Sequence, residues 1–215
     1  MTMTLRPPSV AGMTLDRWVH ACGLFSSRDE EYAALAPFIQ DSIANQERLI
    51  VLGADEELST HRAHMASRGV DVAEAERDGY LNLVDWDASY LFEGRFDVAR
   101  MLHMVDDICG QSAQVGFPRG RFIGHMEWAL TDQPGTEGVI EFECLVNDVL
   151  ARHGHPAICV YDVTKFDAAT IVDILRTHPV VIMNGVAQEN PFFLPPAEFI
   201  ASRRGAAGLT ALATA

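Results

Sequence analysis

Arg48-Leu49-Ile50-Val51-Leu52-Gly53, followed directly by Ala54-Asp55-Glu56-Glu57, decides how the rest of the chain is read. An unbroken apolar run closed by glycine reads as a strand buried on both faces, as in a parallel sheet. In a P-loop ATPase such a strand feeds the turn GxxxxGK[ST], whose glycines wrap the phosphates and whose lysine meets their charge. Here the following turn is acidic and would repel phosphate, and the chain has a single lysine, Lys165. An arginine-for-lysine bias accounts for part of that scarcity. The strand and the absent phosphate grip together point away from an ATPase and towards a regulatory or sensory domain on the same scaffold.

Composition narrows the class further. A chain of 215 residues with 48% hydrophobic content and a mean hydropathy of +0.06 suits one domain with a full core. Thirty acidic against sixteen basic residues give a net charge of −14, and Arg203-Arg204 is the longest basic run. Direct nucleic-acid binding is therefore not expected. Cys22, Cys109, Cys144 and Cys159 are widely spaced with no CxxC pair, which favours reduced, buried thiols. No apolar stretch is long enough to span a bilayer. The expectation is a cytoplasmic protein with no membrane contact and no cofactor.

Working outward from the deciding strand, apolar runs alternate with helical patterns. Residues 1–16, with Pro7-Pro8 and Gly12, read as a flexible leader, 17–200 as a single domain and 201–215 as a disordered tail. Strands are expected over Arg17–Phe25, Arg48–Gly53, Tyr80–Trp86, Arg121–Leu130, Ala157–Val163 and Val180–Asn184. Helices are expected from Ser27, with Glu30 in a capping box, and over Glu56–Arg68, Asp97–Val115, Thr136–His153 and Asp167–Thr177. This alternation predicts a three-layer α/β fold with a mostly parallel central sheet flanked by helices.

Ligands of such sheets bind beyond the carboxyl ends of the strands. Those ends collect Trp86 and Tyr90, then Glu127 and Trp128, then Tyr161 and Asp162. With His20, on the first strand, they have the make-up of a small-molecule pocket. Core capping by the aromatics is the competing reading. Glu127 ends an apolar strand and either anchors a ligand or pairs with an arginine such as Arg121. Glu143 interrupts the apolar helix face of Val139, Val146 and Leu150, so it needs a partner. A buried arginine would supply one; otherwise Glu143 projects into the pocket beside Glu127. His61 and His64 lie on a polar helix and read as exposed, and His178-Pro179 reads as a helix end. His20 and Cys22 share a strand face and would need Cys109, Cys144 or Cys159 nearby to hold a soft metal. No metal site is expected, and no serine stands in a G-x-S-x-G elbow.

The order of these motifs resembles the MEDS family, named for methanogen and methylotroph proteins and the sensory domain of a dichloromethane-metabolism regulator. The resemblance rests on His20-Ala21-Cys22, Pro37-Phe38-Ile39, Asp85-Trp86 with Ser89-Tyr90, and Gly94-Arg95-Phe96-Asp97. Arg121-Phe122-Ile123-Gly124 leading to Glu127-Trp128, Glu141-Phe142-Glu143 and Cys159-Val160-Tyr161-Asp162 extend it. His178-Pro179 and Asn190-Pro191-Phe192-Phe193 complete it. It implies a RecA/KaiC-like fold with a degenerate nucleotide site, in which Glu127 occupies the place of the acidic Walker B residue. It further implies non-catalytic sensing of small molecules, proposed for the family to be hydrocarbon derivatives, with signalling through a regulator or kinase partner. No output domain is recognisable in the chain, so a separate signalling or transcription-regulator partner is expected. Two other readings stay open: a nucleotide-binding regulator that uses Arg119 and Arg121 for phosphates, and a protein-interaction module whose edge mediates homo-oligomers.

Overall fold

A computed structural model describes residues 7–15 and 19–203. The expected strand start at Arg17, the first part of the leader and the tail beyond residue 203 lie outside these residues. Seven strands form one sheet: β3 (His20–Phe25), β4 (Arg48–Gly53), β5 (Leu81–Asp85), β6 (Gly120–His125), β7 (Ala157–Asp162), β8 (Val180–Met183) and β9 (Val186–Glu189). They lie in the order β5-β4-β6-β7-β3-β8-β9, all parallel except β9. A two-stranded hairpin, β1 (Ser9–Val10) with β2 (Met13–Thr14), precedes the sheet.

The helices are α1 (Arg28–Ala44), α2 (Asp55–Ser67), α3 (Val72–Arg77), α4 (Val98–Gln111), α5 (Val139–His153) and α6 (Ala168–Thr177). The two-residue side-chain period of the strands divides the interior into two cores. Ala21, Phe25, Leu49, Val51, Ile123, Ile158 and Val160 pack against α1 to α3. Cys22, Leu24, Ile50, Leu52, Phe122, Cys159 and Tyr161 pack against α4 to α6. The three-layer α/β architecture is thus the one the alternation predicts, because both faces of every central strand are apolar.

Local chemistry places the helix starts. Ser27, Asp71, Asp97 and Asp167 each accept a hydrogen bond from the backbone N–H three residues on. Glu30 reaches back as expected for a capping box but bonds the backbone N–H and hydroxyl of Ser26, one residue earlier than the cap.

Several boundaries differ from the sequence reading. The expected leader contains the β1–β2 hairpin, whose Ser9 backbone N–H and hydroxyl bond Asp41 at 3.1 and 2.6 Å and whose Ala11 backbone N–H donates to Ala34 O. At the other end, a helix over 196–203 runs into the expected tail. The fourth parallel strand ends at His125, not Leu130, because residues Glu127–Leu130 turn as a 3-10 helix. That turn carries Trp128 inward onto Tyr90 and Phe96. The α3 helix and the β8–β9 hairpin were not expected. The hairpin turn is Asn184-Gly185, both with positive φ, the backbone that an Asn-Gly pair favours in tight hairpins.

At the amino ends of β4 and β6, Glu47 is fully buried between Arg119 and the equally buried Arg121. Arg121 also donates to Phe38 O and lies over the Phe38 ring, its guanidinium carbon 4.9 Å from the centroid. The partner of Arg121 is therefore Glu47 and not Glu127. Removing one member of a buried ion pair strands the other charge, at a cost of about 3–5 kcal/mol. Glu47→Ala is expected to lose that much stability in urea unfolding, and Glu47→Ala with Arg121→Met to recover most of it.

Candidate functional site

In an open α/β sheet the ligand crevice lies where successive connections leave on opposite faces. That strand is β3: α1 leaves it over one face, whereas α6 reaches its neighbour β8 over the other. The loop in the position of a phosphate-binding turn is therefore Phe25-Ser26-Ser27-Arg28, and not the acidic Gly53–Glu57 turn that follows β4. It carries neither glycine nor lysine. Between its end and β7 lies a cavity of about 30 Å³ lined by Phe25, Ser27, Arg28, Glu31, Val160, Tyr161 and Asp162.

Arg28, in the first turn of α1, dominates this edge. It bonds Glu31 at 2.7 Å, Glu57 at the start of α2, and Glu127 at 3.2 Å. Burial works against its charge, but these three carboxylates hold the guanidinium firmly protonated. Glu127 also faces Lys165 at 3.6 Å, and Lys165 reaches Asp162 at 3.4 Å. Behind this collar, His125 Nε2 lies 2.8 Å from Glu31 Oε1, and the His61 ring stacks on His125 with centroids 4.1 Å apart. The hydroxyl of Tyr32 lies 2.5 Å from His61 Nδ1. His61 is fully buried, not exposed as its polar helix suggested, because Gly53 leaves room for the ring.

A second polar cluster sits across the sheet, under α5. Glu143 is fully buried there and is met by neither an arginine nor Glu127. His20 Nε2 and His178 Nε2 each lie 3.1 Å from its Oε2. Tyr161 donates to its Oε1 at 2.9 Å, and the Cys159 thiol points at Oε2 from 3.5 Å. Burial alone would raise the Glu143 pKa, whereas His178 and His20, when they carry a proton towards Oε2, draw it well below the usual carboxylate range. Burial first, then the carboxylate, raises the Cys159 thiol and the Tyr161 phenol, and burial lowers His20.

The structure thus separates the expected site residues. His20, Glu143 and Tyr161 come together on the α5 face, joined by Cys159 and His178. Cys22, the residue first paired with His20, instead directs its thiol to Val180 O. Glu127 and Asp162 join the Arg28 collar, with Lys165 between them. Tyr90 and Trp128 are buried and stacked, centroids 4.7 Å apart, with the Tyr90 hydroxyl lying where Gly124 has no side chain. Trp86 is half-buried and donates from Nε1 to His125 O. Sequence reasoning missed Arg28, Glu31 and His178 as site members, and named Cys159 only as one of three cysteines that a soft metal beside His20 would need. One signal was available: His20, Glu143 and His178 each interrupt or border an apolar run, and such residues satisfy one another.

The family described as MEDS, the MEthanogen/methylotroph, DcmR Sensory domain, matches residues 19–179, and the chain belongs to it. The transcriptional repressor DcmR of Methylorubrum extorquens is 26% identical over 173 residues, covering 79% of this chain and 61% of that protein. The chain therefore spans about three fifths of its curated relative's length. A solved structure, the KaiC-like protein PH0186 from Pyrococcus horikoshii OT3, matches with a TM-score of 0.56. The match covers 83% of this chain and 78% of that one at 15% identity, a likeness of fold. Among the described residues no helix is long and apolar enough to cross a membrane.

The collar predicts a pH dependence. Burial, then repulsion from His125, lowers His61 from 6.5 to about 3, so the native protein leaves it neutral where the unfolded chain protonates it. Stability should decline as pH falls below about 6.5. Glu31 is opposed by burial but drawn down to about 2, from 4.5, by His125 and Arg28, which adds a second decline between those values. Urea unfolding from pH 7 to 5 should show a shallower slope for His61→Gln than for the native sequence; equal slopes would remove the assignment.

Proposed function

We propose that this MEDS-family chain is a sensory regulatory domain that takes a small uncharged molecule at the crevice between β3 and β7. Its occupancy is passed to a transcription-regulating partner. The observation that carries this reading is the carboxylate collar around Arg28. Glu31, Glu57 and Glu127 already occupy the guanidinium, and Glu127 and Asp162 hold Lys165, so among the described residues an anionic ligand meets no unpaired cation at the cavity. Phe25, Val160 and Tyr161 offer apolar contact, the Tyr161 hydroxyl being held by Glu143 on the other face, while Ser27 and Asp162 supply polar groups. A volume of about 30 Å³ admits on the order of two water-sized groups, far below the several hundred Å³ of a drug-sized pocket. The ligand class that fits is a molecule of a few heavy atoms, in line with the hydrocarbon derivatives proposed for the family. In this reading Tyr161 and Asp162 touch the ligand. Glu127 sets the charge of the mouth, and Trp86, Tyr90 and Trp128 support it from the flanking strand ends.

A nucleotide reading has less support. Arg119 and Arg121, the arginines considered for phosphates, sit at the amino end of β6, at the opposite edge of the sheet from this crevice, and are bound to Glu47. The relationship to a transcriptional repressor supports a regulator as the output.

Ligand-observed NMR with methanol, dichloromethane and toluene as probes tests the reading. The two smaller probes should bind saturably and toluene should not. Ser27→Phe, which fills the cavity, should abolish binding, while Ser27→Ala, which loses only the α1 cap, should keep it. Absence of binding by every probe, or a thermal shift with magnesium ATP, would sink the proposal.

A further inference from the structure

The cluster beneath α5 contains a conflict of lone pairs that hydrogen bonding within the protein does not resolve. Asn147 donates its amide N–H groups to the carbonyls of Glu143, Cys144 and Thr177 at 2.8 to 3.1 Å. Its Oδ1 is thereby fixed as an acceptor, and it faces His20 Nδ1 at 3.3 Å. His20 therefore carries its proton on Nδ1. His178 Nδ1 lies 2.7 Å from Ile174 O, a carbonyl acceptor, and is likewise the protonated nitrogen. Both Nε2 atoms then present lone pairs to the same oxygen, Glu143 Oε2, from 3.1 Å each. Cys159 Sγ completes the group, 3.4 Å from His20 Nε2 and 3.5 Å from Glu143 Oε2. His178 Nε2 is buried with no hydrogen-bond partner.

A proton on one imidazole would relieve one of the two contacts and leave the other, and a proton on each would leave this fully buried group with a net positive charge. A cation at the centre relieves all of them. For bond lengths of roughly 2.0–2.3 Å, the edges of a tetrahedral zinc site are about 3.3 Å between nitrogen or oxygen ligands and about 3.5 Å to sulfur. The measured separations of 3.1, 3.1, 3.4 and 3.5 Å fall beside these values. All four ligand atoms lie within 4.8 Å of one another. We propose that His20, Glu143, Cys159 and His178 form a buried structural site for a divalent transition-metal ion of the zinc class.

The surroundings match such a site. Each ligating histidine gives its remote N–H to an oxygen acceptor, and the free carboxylate oxygen of Glu143 takes the Tyr161 hydroxyl, which is how outer partners orient metal ligands. Metal binding would release the Cys159 thiol proton to solvent. A dication with one thiolate and one carboxylate leaves the buried group neutral overall. Two imidazoles, one carboxylate and one thiolate suit zinc better than calcium or magnesium, which prefer oxygen. With four protein ligands, no coordination position is left for substrate, so the ion is structural. It would tie β3, β7, α5 and the α6–β8 junction together at one point. The other histidine cluster, Glu31 with His61 and His125, is a poorer candidate because the Arg28 guanidinium already sits against Glu31.

The test uses the full chain, unfolded in chelator and refolded with cobalt(II) or zinc(II). Elemental analysis after desalting should find about one ion per chain. The cobalt form should show tetrahedral d–d bands and a thiolate-to-cobalt charge-transfer band. Cys159→Ser should lose the charge-transfer band, Cys109→Ser should keep it, and Asn147→Ala should weaken affinity about 10–100-fold. If Cys159→Ser does not fold, the cobalt spectrum of the unaltered chain still decides the matter. A chain with native circular dichroism that retains no metal and shows no charge-transfer band would overturn the proposal. That outcome is independent of the small-molecule test at the crevice.

Discussion

A carboxylate cannot be taken out of water alone, and the burial of Glu143 makes four parts of this chain depend on one another. The residue lies in the middle of α5, whose apolar face must pack on the sheet, so the carboxylate is carried to the sheet whether or not partners await it. The partners come from β3, β7 and the end of α6, segments separated by up to 158 positions from His20 to His178. Strand order brings them together. Because β3 lies between β7 and β8, His20, Tyr161 and His178 arrive at adjacent positions on the same face. A register shift of one residue in any of these strands would turn its polar group to the other core and leave Glu143 short of a partner.

The opposite face of the same strands carries a different electrostatic solution. At the carboxyl ends of β3 and β7 the first turn of α1 offers the backbone N–H groups that many α/β proteins use for phosphate. Here the Ser27 hydroxyl takes the Glu30 N–H, the Glu30 carboxylate takes the Ser26 N–H, and the Arg28–Glu31 ion pair lies beside the turn. An acidic crevice of small volume and a fold shared with KaiC-like proteins are compatible because architecture is set by the two apolar cores, whereas the chemistry depends on a few residues at the strand ends.

Much of the architecture was legible. The runs RLIVLG and AICVYD read as strands covered on both faces, and the helices read from Ser27, Asp97 and Asp167 start within a residue of the observed α1, α4 and α6. Features set by short segments were less legible. The β8–β9 hairpin rests on two residues, Asn184 and Gly185, and β9 is mostly exposed, so its composition carries little strand signal. The β6 boundary was overrun because Trp128 is apolar enough to continue a strand. It is buried by a turn instead, stacking on Tyr90.

By itself the sequence determined the three-layer α/β class, the family likeness and the absence of a GxxxxGK[ST] motif. Each depends on residue type and local periodicity, and each is present within a few consecutive positions. It also determined that Glu143 would need a partner, since its helical neighbours are apolar. Which partner was decided only by the tertiary structure, because two histidines, a tyrosine and a thiol converge through strand order and not through spacing. The same holds for the assignment of Arg121 to Glu47, of Arg28 to Glu127, and of the crevice to β3 in place of β4. Opposite charges pair by proximity in space, and proximity between distant segments is fixed only when the sheet is assembled.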